Sequence, residues 1–226
     1  MSFKGFGPDA LPFFKALGFH QNKEWFEENR ATYEAEVKTP FGDLIEDISA
    51  AFAKAGVPLK GDRKTSLFRL NRDIRFSKDK SPYKTHAGAV LTRGGVKDDK
   101  GLFYIHVAPD GCFAAAGFYH PEPDDLLRMR RAIVRAPKVY EKVVAGLEKA
   151  KIEQRDEGAL KRLPRGFETV ADPKIAAAIL KKSFIGSRAI DEARLASPGL
   201  VGDLVAFAKQ ALPLLQWGWD AIADER

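Results

Sequence analysis

The chain has 226 residues, 45% of them hydrophobic and 30% charged, with a net charge of +6. That balance excludes disorder as a description of the whole, and the length suits one large domain over residues 1–226, or one domain with a helical extension; the order of its predicted helices and strands makes it α+β. Its apolar runs are broken well before the ~18 residues of a membrane helix, and its single cysteine excludes an internal disulfide and a CxxC metal site.

Helices come first, over about residues 9–56. Asp9 to Leu17 places Leu11, Phe14 and Leu17 at helical spacing and is closed by Gly18. Asn22 is a good N-cap for a second helix running from Lys23 to about Lys38, with Glu24 in its first turn. Thr39-Pro40 predicts a third, whose stripe of Phe41, Leu44, Ile45, Ile48 and Phe52 forms a core face that ends at Gly56.

From Ser66 the period changes to two, and a sheet is expected over about residues 66–118. Phe68, Leu70, Ile74 and Phe76 share one parity, and Arg69, Asn71, Asp73 and Arg75 the other. Arg72 alone interrupts the inward set. Further strands are expected at Thr85–Thr92, Leu102–Ala108 and Cys112–Phe118, the last two flanking the turn Pro109-Asp110-Gly111. Four strands in succession predict a mostly antiparallel sheet.

Helices return over about residues 122–225. Pro123 and Pro137 open two of them, the first burying Leu126, Leu127, Met129, Ile133 and Val134. Lys151 to Phe167 reads as irregular and basic. Asp172-Pro173 caps a short helix, and Ser197-Pro198 begins a long one with Pro213 near its middle. The N-terminus lacks the apolar core and cleavage site of a signal peptide, so the chain reads as cytoplasmic, with no membrane partner. Its oligomeric state is left open.

Charge is concentrated in one place. Lys60–Lys84 holds nine Lys/Arg against three Asp, a surplus equal to that of the entire chain. Within it, Arg69, Arg72, Arg75, Lys80 and Lys84 crowd five cations into sixteen residues, an arrangement that calls for a compensating anion or for pairing with Asp73 and Asp79. Guanidinium groups present a planar fork suited to phosphate or carboxylate, and Lys supplies a movable point charge. An interspersed carboxylate such as Asp73 can orient an arginine or act as a general base. Arg72, on the inward parity, needs a partner for its guanidinium. Asp73 points the other way in a regular strand, so the helix bearing Glu24, Glu27 and Glu28, or a ligand, is the expected source.

The pattern Arg69-x-x-Arg72-Asp73-x-Arg75-Phe76-x-x-x-Lys80-x-Pro82-Tyr83 resembles the signature of domain-of-unknown-function family 2461, found in bacteria and fungi. Glu24-Trp25-Phe26-x-x-Asn29-Arg30-x-x-Tyr33, Gly117-Phe118-Tyr119-His120-Pro121 and Leu160-Lys161-Arg162-x-Pro164-Arg165-Gly166-Phe167 extend the resemblance over nearly the whole chain. Two positions depart from the family pattern: Gln21-Asn22 replaces an Asn pair, and Ala171 precedes Asp172-Pro173 where His-Pro is usual, so no role of that histidine is carried over. The resemblance implies a site without a reaction.

Other constellations carry less. His20, His86, His106 and His120 show no metal-ligand spacing, so neither a metal nor a cofactor is expected. Tyr104 and His106 share a strand face, and His86 follows the basic loop, which can bring either histidine beside the arginines. Cys112 reads as an inert buried thiol. Trp217 and Trp219 are expected to pack against the fold or a second subunit.

The reading is a concave anion site for a phosphorylated or carboxylated small molecule. Arg69, Arg72, Arg75, Lys80, Lys84 and Arg165 are its binding residues, and Asp73 and Tyr83 its orienting or catalytic ones. Phosphoester hydrolysis or transfer is the reaction class considered. Two rivals stand beside it. One is a nucleic-acid-binding module, with Lys60, Lys64, Lys78, Lys80 and Lys84 along one surface. The other is a structural or partner protein whose motif is a salt-bridge network.

Overall fold

The structure is a computed structural model that describes residues 2–75, 78–155 and 158–224. Helices flank an antiparallel five-stranded sheet, an α+β fold as the sequence predicts. The N-terminal layer contains α1 (Ala10–Phe19), α2 (Lys23–Glu28), α3 (Arg30–Thr32), a π-helical stretch Tyr33–Lys38 and α4 (Thr39–Ala55). Strands β1 (Ala87–Leu91), β2 (Leu102–Val107) and β3 (Cys112–Phe118) follow. Next come α5 (Pro123–Arg135), α6 (Pro137–Lys149), β4 (Glu153–Arg155) and α7 (Pro173–Leu180). The chain closes with β5 (Phe184–Ile190), α8 (Glu192–Leu195) and α9 (Leu200–Ala223), the last carrying Pro213 inside it. Strand order across the sheet is β1-β2-β3-β5-β4.

The chain divides into two compact units. The first comprises Met1–Asp99, Tyr104–Ala114 and Ala189–Ala206, the second Lys100–Phe103, Ala115–Arg188 and Phe207–Arg226.

In the first unit, the apolar stripe of α4 behaves as its spacing requires. Phe41, Leu44, Ile45, Ile48 and Phe52 are fully buried, each contributing about 1.5–3 kcal/mol by leaving water. Phe6 meets Phe41 edge-on at 5.4 Å, and Phe3 meets Phe6 at 5.6 Å. Gly56 ends α4 in the left-handed region (φ 69°), as the αL cap demands.

Asn22 caps α2, accepting a hydrogen bond from the Trp25 amide at 2.8 Å. Asn22→Ala should therefore cost about 1 kcal/mol, read as a shifted urea midpoint with an unchanged slope.

The single helix expected from Lys23 to Lys38 is broken. Asn29 turns its side-chain amide onto the Trp25 carbonyl at 2.9 Å, competing with the backbone ladder. Nor does Thr39 act as an N-cap. Lys38 already has helical dihedrals (φ −68°, ψ −47°), so the turn runs on into α4. The wide π turn lies just ahead of Pro40, which has no N–H to give and whose ring crowds the carbonyl four residues back.

In the second unit, Trp217 and Trp219 are buried. Trp217 packs against Tyr140 (4.8 Å) and Phe184 (5.3 Å), and the Trp219 indole N–H donates to the Lys100 carbonyl at 2.7 Å. Asp172 accepts from the Lys174 and Ile175 amides, capping α7. The inward face of α5 differs from expectation. Val134 is exposed, while Arg130 is buried and donates to the carbonyls of Ile179 (2.8 Å) and Lys181 (3.0 Å). Asp125, also buried, is held by Lys100 (2.8 Å) and Arg128 (3.2 Å). Polar groups enter this face because each finds a partner there.

Two strands arise where the sequence predicts none. β4 lies in the stretch read as irregular, and β5 carries Gly186, Ser187 and Arg188, which hide its alternation. The two pair antiparallel, with Gln154 opposite Gly186. Among the described residues, no helix is long and apolar enough to cross a membrane.

Candidate basic site on the first unit

The segment from Ser66 to Arg75 is not the regular strand that its parity predicts. It meets the chain ahead of and within β1 at two separate bridges, Leu67 with Ala89 and Asn71 with Tyr83. From Leu67 to Asn71 the chain takes four steps, whereas from Ala89 back to Tyr83 it takes six. The ladder closes on either side of that surplus. Phe68 N–H donates to Gly88 O (2.9 Å) and Lys84 N–H to Leu70 O (2.9 Å), and the extra residues fold out as a bend at Thr85–His86. A bulge of this kind re-aims the side chains it carries.

The inward set is accordingly scattered. Leu70 is buried, but Phe68 and Ile74 are 38% and 40% exposed. Phe76 lies outside the described residues. Arg69 and Arg75 are exposed as expected, at 71% and 75% of their side chains.

Arg72 does go inward, with its side chain 29% exposed, but its carboxylate partner is neither on the helix of Glu24, Glu27 and Glu28 nor at Asp73. Asp79, in the same loop, reaches Nη1 at 2.6 Å, and Nη2 donates to Tyr83 O at 3.3 Å. The carboxylate thus comes from a residue seven positions on in the sequence. Glu27 is taken by Arg30 at 2.6 Å. Arg72 Nε is buried and has no hydrogen-bond partner among the described residues.

Asp73 holds Arg75, accepting from Nε (3.0 Å) and Nη2 (2.7 Å), and lies 3.9 Å from Arg69. Its hydrogen bonds from Arg75 keep its carboxyl below the usual range, so it stays ionised. Lys80 donates to Ile74 O at 2.8 Å. The Tyr83 ring is buried and stacked on Phe26 at 4.7 Å, and its amide donates to Gln21 Oε1. Arg165 is exposed in the second unit, beside Gly166 at φ 90°.

What gathers instead is a cationic rim beside a ring-lined sheet face. Lys84 Nζ donates to Arg69 O (3.1 Å) and lies 5.5 Å from the Phe68 ring centre. Lys97 Nζ donates to Leu67 O (2.6 Å) and lies 4.9 Å from the same ring. Tyr104 and His106 of β2, with Phe113 of β3, are partly exposed, while the alternate β2 residues Phe103, Ile105 and Val107 are buried. His106 stacks on Phe113 at 4.7 Å and contacts His86 at 4.6 Å, and Tyr104 Oη is 2.9 Å from His106 Nδ1.

Burial, and then the charges of Arg69, Lys97 and Arg72, push the Lys84 ammonium below its ordinary range. Burial followed by Lys84 and Arg72 does the same to His86, against a smaller opposing pull from Asp110. Burial likewise lowers Lys97 and raises the Cys112 thiol, whose Sγ donates to Ala108 O.

A family model matches residues 9–217 of the chain. The chain belongs to the family described as Conserved hypothetical protein (DUF2461). No curated protein and no solved structure matches it. In this DUF2461 chain the motif cations divide by geometry. Arg75 and Arg72 are paired with Asp73 and Asp79, Lys80 is tied to a carbonyl, Arg69 lies 3.9 Å from Asp73, and Lys84 and Lys97 share the ring of Phe68. Sequence reasoning passed over Lys97, which lies in the Gly94–Lys100 turn and carries no local signal. It did mark His86, Tyr104 and His106 as possible neighbours of the arginines. Among the described residues, no group of three His, Cys, Asp or Glu side chains is placed to hold a metal ion.

Proposed function

We propose that Arg69, Arg72, Lys84 and Lys97 bind the anionic group of a phosphorylated or carboxylated small molecule beside the ring face of Phe68, Tyr104 and His106. The observation that carries this reading is the crowding around Lys84. It is partly buried, and the charges acting most on it are those of three other cations. Such an arrangement is repelled from within, and an anion relieves it. Arg72 Nε, which has no hydrogen-bond partner among the described residues, supplies a further buried donor. The outer cations count for less. Arg63 is engaged by Asp43 and Glu46 at 2.8 and 2.7 Å, and Arg75 by Asp73, which favours a local site over an extended nucleic-acid surface.

Sulfate tests the reading, since it mimics phosphate and keeps one charge state across the working pH range. At a hundred times its Kd a ligand stabilises the fold by about 2.7 kcal/mol, so thermal melts should rise with sulfate and not with chloride. Joint replacement Lys84→Met and Lys97→Met should weaken sulfate binding at least tenfold while leaving the fold intact, since both long side chains keep an apolar stem. A chain that instead bound duplex DNA with a log–log salt slope near −4.5, the value for about five phosphates, would be the nucleic-acid module. Release of p-nitrophenolate from p-nitrophenyl phosphate tests hydrolysis at a phosphoester, the reaction class that suits such a ligand.

A further inference from the structure

His86 occupies a particular place in this arrangement. It sits in the bend created by the two surplus residues between the bridges, so its side chain is set by the bulge and not by strand alternation. The bend turns it onto β2, where its ring meets His106 at 4.6 Å. His106 is fixed in turn, stacked on Phe113 and held through Nδ1 by the Tyr104 hydroxyl at 2.9 Å. The imidazole of His86 is thus braced on one side by rings and placed within the influence of the Lys84 and Arg72 charges on the other.

We propose that His86 is the proton-accepting residue of the anion site, taking up a proton as a phosphate-type dianion enters beside Arg72 and Lys84. This rests on the anion-binding reading above and narrows its ligand class. Arg72 is shared with Asp79 (2.6 Å) and Arg69 lies 3.9 Å from Asp73, so the rim's net charge is less than that of its four cations. A carboxylate cancels one unit of it, whereas a dianion cancels two and removes more of the repulsion on an imidazolium. With the dianion bound, the protonated ring adds an N–H donor to the rim.

The direction of the linkage follows from the charges. In the free protein, burial and the Lys84 and Arg72 charges hold His86 neutral, below its ordinary range, and Asp110 of the β2–β3 turn opposes them more weakly. Tyr104 and His106 are the other titratable groups on the adjoining strand. A dianion beside Lys84 and Arg72 cancels their repulsion and draws the proton on. Its affinity is therefore greatest below the free-state value of His86 and falls as the pH rises towards the bound-state value. Each unit between those two values changes affinity by about tenfold.

The test is isothermal titration of the full chain with sulfate between pH 5 and 8, in buffers of different ionisation enthalpy. Wild type should bind at least tenfold more tightly at pH 5 than at pH 8 and take up protons on binding. His86→Gln should bind with little dependence on pH, and His106→Gln should keep the wild-type slope. NMR titration of the wild-type histidine resonances covers the event that either variant is unstable, and sulfate should raise the His86 transition by at least one pH unit. Absence of sulfate binding even at pH 5 overturns the anion site itself. Binding with a flat pH profile, with a slope that survives in His86→Gln, or with an unmoved His86 resonance overturns the proton-accepting role alone.

Discussion

Arg72→Ala should abolish most of the sulfate-induced rise in melting temperature, while Lys78→Ala leaves both stability and sulfate response within about 0.5 kcal/mol of wild type. The two residues carry the same charge six positions apart, yet their surroundings differ. Lys78 is exposed. Arg72 runs inward, gives Nη1 to Asp79 at 2.6 Å and Nη2 to Tyr83 O at 3.3 Å, and keeps a buried Nε without a hydrogen-bond partner among the described residues. Truncation removes the donor set facing the site and leaves Asp79 with its bond from the Ser81 amide. The stability cost should be about 1–3 kcal/mol, at the lower end because Asp79 is half exposed. The decisive measurement is the difference between melts with and without sulfate. If Arg72→Ala melts lower but gains as much from sulfate as wild type does, the arginine is scaffold. The motif would then be read as a salt-bridge network.

Gly117→Ala is expected to have the largest effect on stability among single methyl additions on the strands. Gly117 in β3 has φ 138°, a conformation that L side chains rarely adopt, and a Cβ built on it would lie 2.0 Å from Phe184 O and 3.1 Å from Ile185 Cα. Both obstacles are backbone of β5, so no rotamer change relieves them. Strain and overlap together should cost about 2–5 kcal/mol, or roughly 10 °C for a chain of this size. Urea denaturation would read it as a lower midpoint, and an alanine variant as stable as wild type would contradict so close an approach. Gly117 also begins one of the blocks, Gly117-Phe118-Tyr119-His120-Pro121, that carry the family resemblance. Its glycine is explained by strand packing, with no need of a ligand.

The stability contribution of His86 has its own sign. Its folded-state value lies below the ordinary one, so the unfolded chain takes up the proton first as the pH falls. In the absence of anion, stability is unaffected well above about pH 6.5 and declines as the pH drops below it, until the folded protein is protonated too. Sulfate should blunt that decline.

Much of this architecture follows from local rules. The α4 stripe, the Asn22 and Asp172 caps, the Gly56 stop, the proline starts of α5 and α6 and the β2–β3 hairpin depend on spacing and backbone chemistry within a few residues, and each appears where the sequence places it. The fold class, helices at both termini around an antiparallel sheet, follows from the same periods, although β4 and β5 fall among the C-terminal helices. The basic stretch is equally visible, since charge density needs no tertiary information. Which cations of that stretch stand together is another matter. The surplus of two residues between the bridges at Leu67–Ala89 and Asn71–Tyr83 is a property of paired segments. Parity applied to one segment alone therefore turned Phe68 and Ile74 inward when the fold leaves them exposed. Asp79 reaches Arg72 from seven positions away, and Lys97 comes to the Phe68 ring beside Lys84 because the Gly94–Lys100 turn returns to Leu67. β5 is hidden because Gly186, Ser187 and Arg188 break its alternation, and its place between β3 and β4 makes it a strand. The sequence alone determined where the charge lies and which periods build the layers. Tertiary structure decided which charges are paired, which are not, and that His86 turns onto His106, because those outcomes depend on distances between segments that no local pattern records.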